Sequence, residues 1–251
     1  MTRVVAMIPA RMGSSRFPGK PLALLRGRPM VEHVFARTAA CSRVDDVLIA
    51  TCDEEISLAA TGFGARSVMT SSAHQRATDR IAEACESYPA DIIVMVQGDE
   101  PMIRPDMVSA AIAPLLESST IGCVNLAAPI LTEIELRSPN TIKIAISRQG
   151  TALYFSREVV PNIVGRQFRS GHWYKQVCII AFRREALRTF ASLPAGPLEI
   201  DESIDMLRFL ENCIPVHIIT TDAVTHAVDT PADLELVQSL MADEPSYFAG
   251  D

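Results

Sequence analysis

Three cations and a carboxylate are of the types that a transfer reaction on a phosphate needs, and a second carboxylate is a further candidate. Arg11, Arg16 and Lys20 share the loop Ala10-Arg-Met-Gly-Ser-Ser-Arg-Phe-Pro-Gly-Lys-Pro21, directly after the apolar run Val4–Pro9. Gly13, Ser14 and Ser15 let backbone N–H groups approach a phosphate closely, and the arginines and lysine supply the countercharge. The loop is not a Walker A motif: Gly13 and Gly19 enclose five residues, and Pro21 stands where a magnesium-binding Ser or Thr is needed. It is not the dinucleotide Gly-x-Gly-x-x-Gly pattern either. Asp99 follows the most apolar run of the chain, Ile92–Gln97, through Gly98. A carboxylate at the end of a buried strand suits Mg²⁺, which takes only one or two protein carboxylates besides phosphates and water. A turn-forming Asp is the other reading of Asp99, and Glu100 is placed as the residue orienting that turn. Asp229, in Asp-Thr-Pro before an apolar-periodic segment, could be no more than a helix start.

Further candidates are weaker. Thr78, Asp79 and Arg80 open a helical segment, where an anion or a base edge can meet backbone N–H groups. Lys143 lies in the apolar stretch Thr-Ile-Lys-Ile-Ala-Ile and must snorkel or pair, which places it near a phosphate or an acidic partner. Arg157 follows another apolar strand and offers a planar fork for a carboxylate. His33, His217 and His226 lack metal-ligand spacing, and no Gly-x-Ser-x-Gly elbow supports a serine hydrolase.

The elements that must position these groups alternate. Strands are expected at 4–9, 47–50, 67–69, 92–97 and 123–129, and helices at 31–40, 54–61, 78–87 and 106–117. This predicts an α/β sheet with right-handed crossovers, whose ligand edge lies at the carboxyl ends of the strands. From Lys143 the pattern changes: short strands at 143–146, 153–155 and 177–182 surround a loop at 161–174, read as an inserted excursion spanning about 143–182. Helices return at 184–192, 200–212 and 232–241, with a strand near 216–220. No linker divides the chain, so residues 1–251 are expected to form one domain.

Composition sets the outer bounds. With 251 residues and 48% hydrophobic content the chain can bury a full core. A net charge of −7 argues against a general nucleic-acid binder. The charge is unevenly placed: residues 1–43 hold eight Lys/Arg against Glu32, and residues 199–251 hold twelve Asp/Glu against Arg208. Solvated faces account for most of it. No apolar stretch approaches the ~20 residues of a membrane span, and the start of the chain lacks a secretory core; a cytoplasmic protein with no membrane partner is expected. The six scattered cysteines contain no Cys-x-x-Cys pair and read as buried thiols.

Taken in order, the motifs carry a resemblance. Ile8–Leu22 looks like the nucleotide-binding signature of sugar nucleotidyltransferases, and within them most resembles the CMP-KDO synthetase (3-deoxy-manno-octulosonate cytidylyltransferase) family. Met69-Thr-Ser, His74-Gln, Thr78-Asp-Arg80, Val96-Gln-Gly-Asp-Glu-Pro101, Lys143, Ala152-Leu-Tyr-Phe-Ser-Arg157 and Val228-Asp-Thr-Pro-Ala-Asp-Leu234 continue the match over about the whole chain. The resemblance implies a Rossmann-like nucleotidyltransferase fold, with a mixed central sheet flanked by helices. It implies CTP-dependent transfer of CMP to an anionic acceptor, a KDO-like 2-keto sugar acid or a related acid, with release of pyrophosphate and with Mg²⁺ as cofactor. Arg11, Lys20 and Asp99 would be catalytic. Pro9, Ala10, Arg11, Gly13, Ser14, Ser15, Arg16, Lys20, Thr78, Arg80 and Gln97 would bind the nucleotide. Asp99 and Asp229 would carry the metal, and Arg157, Lys175, Gln176 and Asp205 would meet the acceptor. A homodimer with contacts at 158–176 is also implied.

The acceptor motifs depart from the family pattern. Outside those motifs, ahead of Thr78-Asp-Arg80, Arg76-Ala77 also stands where Ser-Gly is usual. Lys175-Gln-Val-Cys-Ile-Ile180 has Gln, Cys and Ile where His, Gly and Tyr are usual, and Ile204-Asp-Met-Leu-Arg208 replaces Leu-Glu-Gln-Leu-Arg. An unmatched polar partner costs about 1–3 kcal/mol, so these changes predict a smaller or less hydroxylated acceptor, still anionic because Arg157 and Lys175 persist. A phosphonate acid such as phosphonoformate is the concrete alternative. A nucleotidyltransferase using UTP, GTP or dTTP, and a non-catalytic nucleotide-binding regulator, are the other readings.

Overall fold

A computed structural model describes residues 2–14, 16–163, 167–242 and 246–248. The chain enters through β1 (Val4–Ala10), whose side chains are buried on both faces of the sheet. A two-strand hairpin, β2 (Leu24–Leu25) and β3 (Arg28–Pro29), precedes α1 (Met30–Ala39). Strand β4 (Asp46–Thr51), α2 (Glu54–Gly62), β5 (Arg66–Met69), α3 (Ala77–Glu86) and β6 (Ile92–Val96) follow in strict alternation. Then come α4 (Pro105–Glu117), β7 (Cys123–Pro129), the single-turn α5 (Glu133–Arg137), and the hairpin of β8 (Lys143–Ile146) with β9 (Ala152–Ser156). Strand β10 (Tyr174–Arg183) runs into α6 (Arg184–Ser192), and α7 (Pro197–Glu202), α8 (Leu207–Glu211), β11 (His217–Thr220) and α9 (Pro231–Leu240) complete the order.

The main path of the sheet reads β11-β7-β10-β6-β1-β4-β5. Neighbours are parallel except at β10, which runs antiparallel to both β6 and β7. This is the mixed sheet flanked by helices that the resemblance implies. Alternation along β1 splits the core in two: Val4, Ala6 and Ile8 pack with α1 and α4, whereas Val5 and Met7 pack with α3, α6 and α8. From β1 the chain goes first to β4 and β5 on one side, then crosses to β6 on the other. The carboxyl ends of β1 and β6 therefore form the switch point at which an open α/β sheet binds ligands.

Two expectations change. The segment 177–182 is not part of an excursion: β10 is a central strand, and its apolar run Val177–Phe182 is buried apart from Cys178, which lines the cavity described below. Because β10 is reversed, its amino end, Tyr174–Gln176, lies beside the carboxyl end of β7, with Lys175 opposite Ala128 and Gln176 opposite Ala127. The register then shifts between Val177 and Ile180, a bulge at the sheet's functional edge. The helix expected over 200–212 is two pieces, broken at Ser203, whose backbone is left-handed (φ 55°, ψ 48°). Among the described residues no helix is long and apolar enough to cross a membrane.

Candidate active site

The switch point opens into a cavity of about 890 Å³. The loop after β1 and the turn after β6 form one wall, and the amino end of β10 with residues 138–142, 157 and 203–205 forms another. Gly98 is where the two β-ends meet: a Cβ there would lie 3.1 Å from the Pro9 carbonyl oxygen, so the turn carrying Asp99 sits directly against the end of β1. The loop after β1 is fixed from behind by Asp53, whose Oδ2 accepts from the Met12 backbone N–H at 2.8 Å.

Lys20 joins the two walls. Its Nζ donates to Asp99 Oδ2 at 2.7 Å and to the Val228 carbonyl at 2.8 Å, and stands 3.5 Å from Asp229 Oδ1. Arg16 Nη2 reaches the same Asp229 oxygen at 2.9 Å, while its Nη1 donates to Asn140 Oδ1 at 2.6 Å. The Val228 N–H donates to the Asp99 carbonyl at 2.8 Å, locking the two acidic segments together. Asp229 precedes α9, where Thr230 and Asp233 form a reciprocal capping box. The helix-start reading thus holds for the segment, and its cap is Thr230, which leaves the Asp229 side chain to the cations.

Asp99 and Asp229 with an ammonium between them are an all-oxygen pair already organised around positive charge, and they fit a hard divalent cation. Among the described residues no group of three or more His, Cys, Asp or Glu side chains could hold a metal. Mg²⁺ does not need one when phosphate oxygens and water complete its shell. Glu100, beside them, is buried, and its Oε2 is without a hydrogen-bond partner among the described residues. Burial, then the neighbouring Asp99, push its carboxyl up to about 7, against the pull of Lys175 and of a hydrogen bond from the Cys178 backbone at the β10 bulge. Burial and the surrounding carboxylates likewise raise the Cys178 thiol.

At the other end, Arg157 leaves β9 with its backbone N–H bonded to Glu202 Oε2. Its guanidinium donates to the carbonyls of Glu202 (2.7 Å), Pro139 (2.9 Å) and Ser203 (3.4 Å). A guanidinium carries five N–H groups, so these contacts orient it and, among the described residues, leave two donors unengaged on a side chain that lines the cavity. Lys175 bonds Glu135 Oε1 at 2.5 Å and the Thr225 carbonyl at 3.1 Å, and Gln176 Nε2 bonds Asn125 Oδ1 at 2.6 Å.

The cavity thus gathers Pro9, Ala10, Arg11, Ser14, Arg16, Lys20, Gln97, Asp99 and Asp229 from the nucleotide and metal expectations, and Arg157, Lys175, Gln176 and Asp205 from those for the acceptor. Ser15 lies outside the described residues. Gly13 is exposed beside the cavity without lining it. Thr78 does not line it either: it is fully buried, and its N–H and hydroxyl both donate to Asp205 Oδ2, at 3.1 and 2.8 Å. Asp205 is therefore tied to the start of α3 as well as facing the cavity, and its burial raises its carboxyl. Arg80 lines the cavity, yet donates to Thr70 Oγ1 and to the carbonyls of Ser71 and His74, holding the 70–74 loop. Lys143, expected near a phosphate or an acid, is fully buried: Glu158 and Glu202 act on its charge, but its hydrogen bonds go to three backbone carbonyls. Sequence reasoning missed Arg76 as a site residue. Its Nη1 donates to Ser203 Oγ at 2.5 Å, and its Nε lies 3.8 Å from Asp205 Oδ1. The signal was its departure from the family pattern.

The family model described as "Cytidylyltransferase" matches residues 5–215. The chain belongs to the cytidylyltransferase family. It is accordingly a nucleotidyltransferase, and its relatives agree over nearly their full length. The 3-deoxy-manno-octulosonate cytidylyltransferase of Geobacter metallireducens is 43% identical over 244 residues, 94% of this chain and 96% of that protein. That of Geobacter sulfurreducens is 43% identical over 243 residues, 93% and 97% of the two chains. Among solved structures, CMP:2-keto-3-deoxy-manno-octonic acid synthetase complexed with CTP superposes with a TM-score of 0.89 at 37% identity, covering 97% of this cytidylyltransferase and 100% of the other chain.

Proposed function

We propose that this cytidylyltransferase is a CMP-KDO synthetase, transferring CMP from CTP to KDO (3-deoxy-manno-octulosonate) and releasing pyrophosphate. The observation that carries the reading is one continuous cavity lined by Lys20, Arg16, Asp99 and Asp229 on one side and by Arg157, Lys175 and Gln176 on the other. Relatives 43% identical are named for KDO, and the neighbour with a TM-score of 0.89 is complexed with CTP. The similarity to relatives named for KDO covers 94% of this chain and so is not confined to the nucleotide and metal motifs. KDO is therefore favoured over the phosphonate acceptor that the departures at Gln176, Cys178, Ile180 and Asp205 suggested.

Arg11, Arg16 and Lys20 would hold the triphosphate and stabilise the departing pyrophosphate. Arg157 would hold the acceptor carboxylate, with Lys175 and Gln176 beside it, so that an acceptor oxygen faces the α-phosphorus in line. Such transfer relies on positioning and charge stabilisation, and no covalent enzyme intermediate is needed. Asp99 and Asp229 would hold Mg²⁺, which when bound neutralises charge on the phosphate oxygens. A homodimer belongs to the same reading and is tested by mass in solution. The function is tested by pyrophosphate release with Mg²⁺, CTP, UTP, GTP or dTTP, and KDO or phosphonoformate. Turnover with CTP and KDO is expected. Preference for phosphonoformate or another nucleotide refutes the assignment, and CTP binding without release would mark a regulator.

A further inference from the structure

Lys143 is fully buried, yet among the described residues its ammonium makes no hydrogen bond to a carboxylate. Its ammonium donates to the Ser138 carbonyl at 3.0 Å, the Thr141 carbonyl at 2.8 Å and the Arg157 carbonyl. Three N–H groups meet three carbonyls, so no donor is left for a ligand. Two of those carbonyls bracket the turn 138–141, and the third belongs to Arg157 itself. The turn in turn holds the guanidinium: Pro139 O accepts from Arg157 Nη1 at 2.9 Å. The next residue, Asn140, accepts from Arg16 in the nucleotide loop. Arg157 is thus tied twice to one buried ammonium, by its own backbone and by the turn its side chain leans on.

We propose that Lys143 is a positioning residue for acceptor binding, setting the Arg157 guanidinium by clamping the 138–141 turn to the Arg157 backbone. The inference rests on the functional reading above. It explains a buried lysine in a strand without placing it at a phosphate. Ionisation gives a second handle. Burial lowers the ammonium to about 8, with Glu158 and Glu202 opposing the shift and Arg157 adding to it. Loss of the proton leaves two donors for three carbonyls, so the clamp loosens above that pH while the CTP side is affected only through Asn140.

The test is Lys143→Met, assayed by pyrophosphate release with CTP and KDO. The KM for KDO is expected to rise about tenfold, equivalent to one or two lost hydrogen bonds, and the KM for CTP by less than about threefold. In an Arg157→Ala background the same change is expected to do nothing further to the KDO KM, because coupled residues are not additive. Effects that multiply in the double variant, or equal rises in both KM values, would overturn the role. If Lys143→Met does not fold, the unmutated enzyme still decides. Its KDO KM is expected to rise between about pH 7 and about pH 9 relative to that of Arg157→Ala. A parallel rise in both proteins, or none in the wild type, overturns the proposal. Wild-type turnover separates the two failures: its absence refutes the functional reading, whereas an active wild type with an unshifted Lys143→Met refutes only the positioning role.

Discussion

Replacing Lys20 by Met should strengthen metal binding while it weakens catalysis. Lys20 Nζ is 2.7 Å from Asp99 Oδ2 and 3.5 Å from Asp229 Oδ1, with little side-chain exposure at any of the three. At an effective dielectric constant of about 20, those separations correspond to attractions of about 6 and about 5 kcal/mol before desolvation. Desolvation offsets most of this, and truncating one partner of a partly buried pair leaves a net loss of roughly 1–3 kcal/mol. The ligand-free Lys20→Met protein should therefore melt lower, because the two carboxylates lose their shared cation and, among the described residues, Arg16 is paired with Asp229 but not with Asp99. The same vacated charge makes the site a better cation trap. Calorimetric titration with Mg²⁺ or Mn²⁺ in the absence of nucleotide should show at least about tenfold tighter binding, an energy of about 1.4 kcal/mol. Turnover should fall by about 10²–10³, the usual loss on removing one group that stabilises developing charge. Unchanged or weaker divalent binding, together with near-normal turnover, would refute the claim that the lysine stands where positive charge is needed.

Other expectations test the scaffold. Arg208→Met strands Glu199 and Asp79, which the guanidinium now holds at 2.7–2.8 Å. A loss of about 3 kcal/mol, and roughly 10 °C in Tm by calorimetry, is expected; Arg76, 3.7 Å from Glu199, keeps it from being larger. Thr230→Ala removes the side-chain cap of α9 and should destabilise by about 1 kcal/mol in denaturant unfolding, with a loss of CTP affinity because Asp229 is next in the chain. Gly98→Ala presses on the Pro9 carbonyl and should reduce kcat more than it shifts the unfolding midpoint. Lys143 sets a stability trend opposite to its effect on acceptor binding: its proton leaves at about 8 in the folded protein and near 10.5 when unfolded. In that window the unfolded chain binds more protons, so the protein gains stability as pH rises. Denaturant midpoints should show the gain in the wild type and its loss in Lys143→Met.

The site was legible wherever its chemistry is local. A cation-rich loop after β1 and a carboxylate after β6 need only their own segments to be read, and the switch point brings them together. What was hidden depended on direction and partnership. The apolar run in β10 reads the same forwards or backwards, so nothing in it reveals that Lys175 and Gln176 sit at the ligand edge because the strand is reversed. Periodicity through 200–212 does not show the left-handed Ser203, which two arginines hold in place. Thr78 was placed near a ligand by its position at a helix start and Lys143 by its charge, but both satisfy buried groups, Asp205 in one case and three carbonyls in the other. A polar residue in an apolar segment announces a partner without saying which.

Transfer of CMP from CTP to KDO changes the phosphorus atoms themselves, and phosphorus NMR of the reaction follows it. With Mg²⁺, CTP and KDO, the triphosphate signals should give way to pyrophosphate and a phosphodiester of CMP and KDO in equal amounts, and omission of either Mg²⁺ or KDO should leave CTP intact. CTP that persists in the complete mixture, or pyrophosphate formed without the diester, would contradict the account.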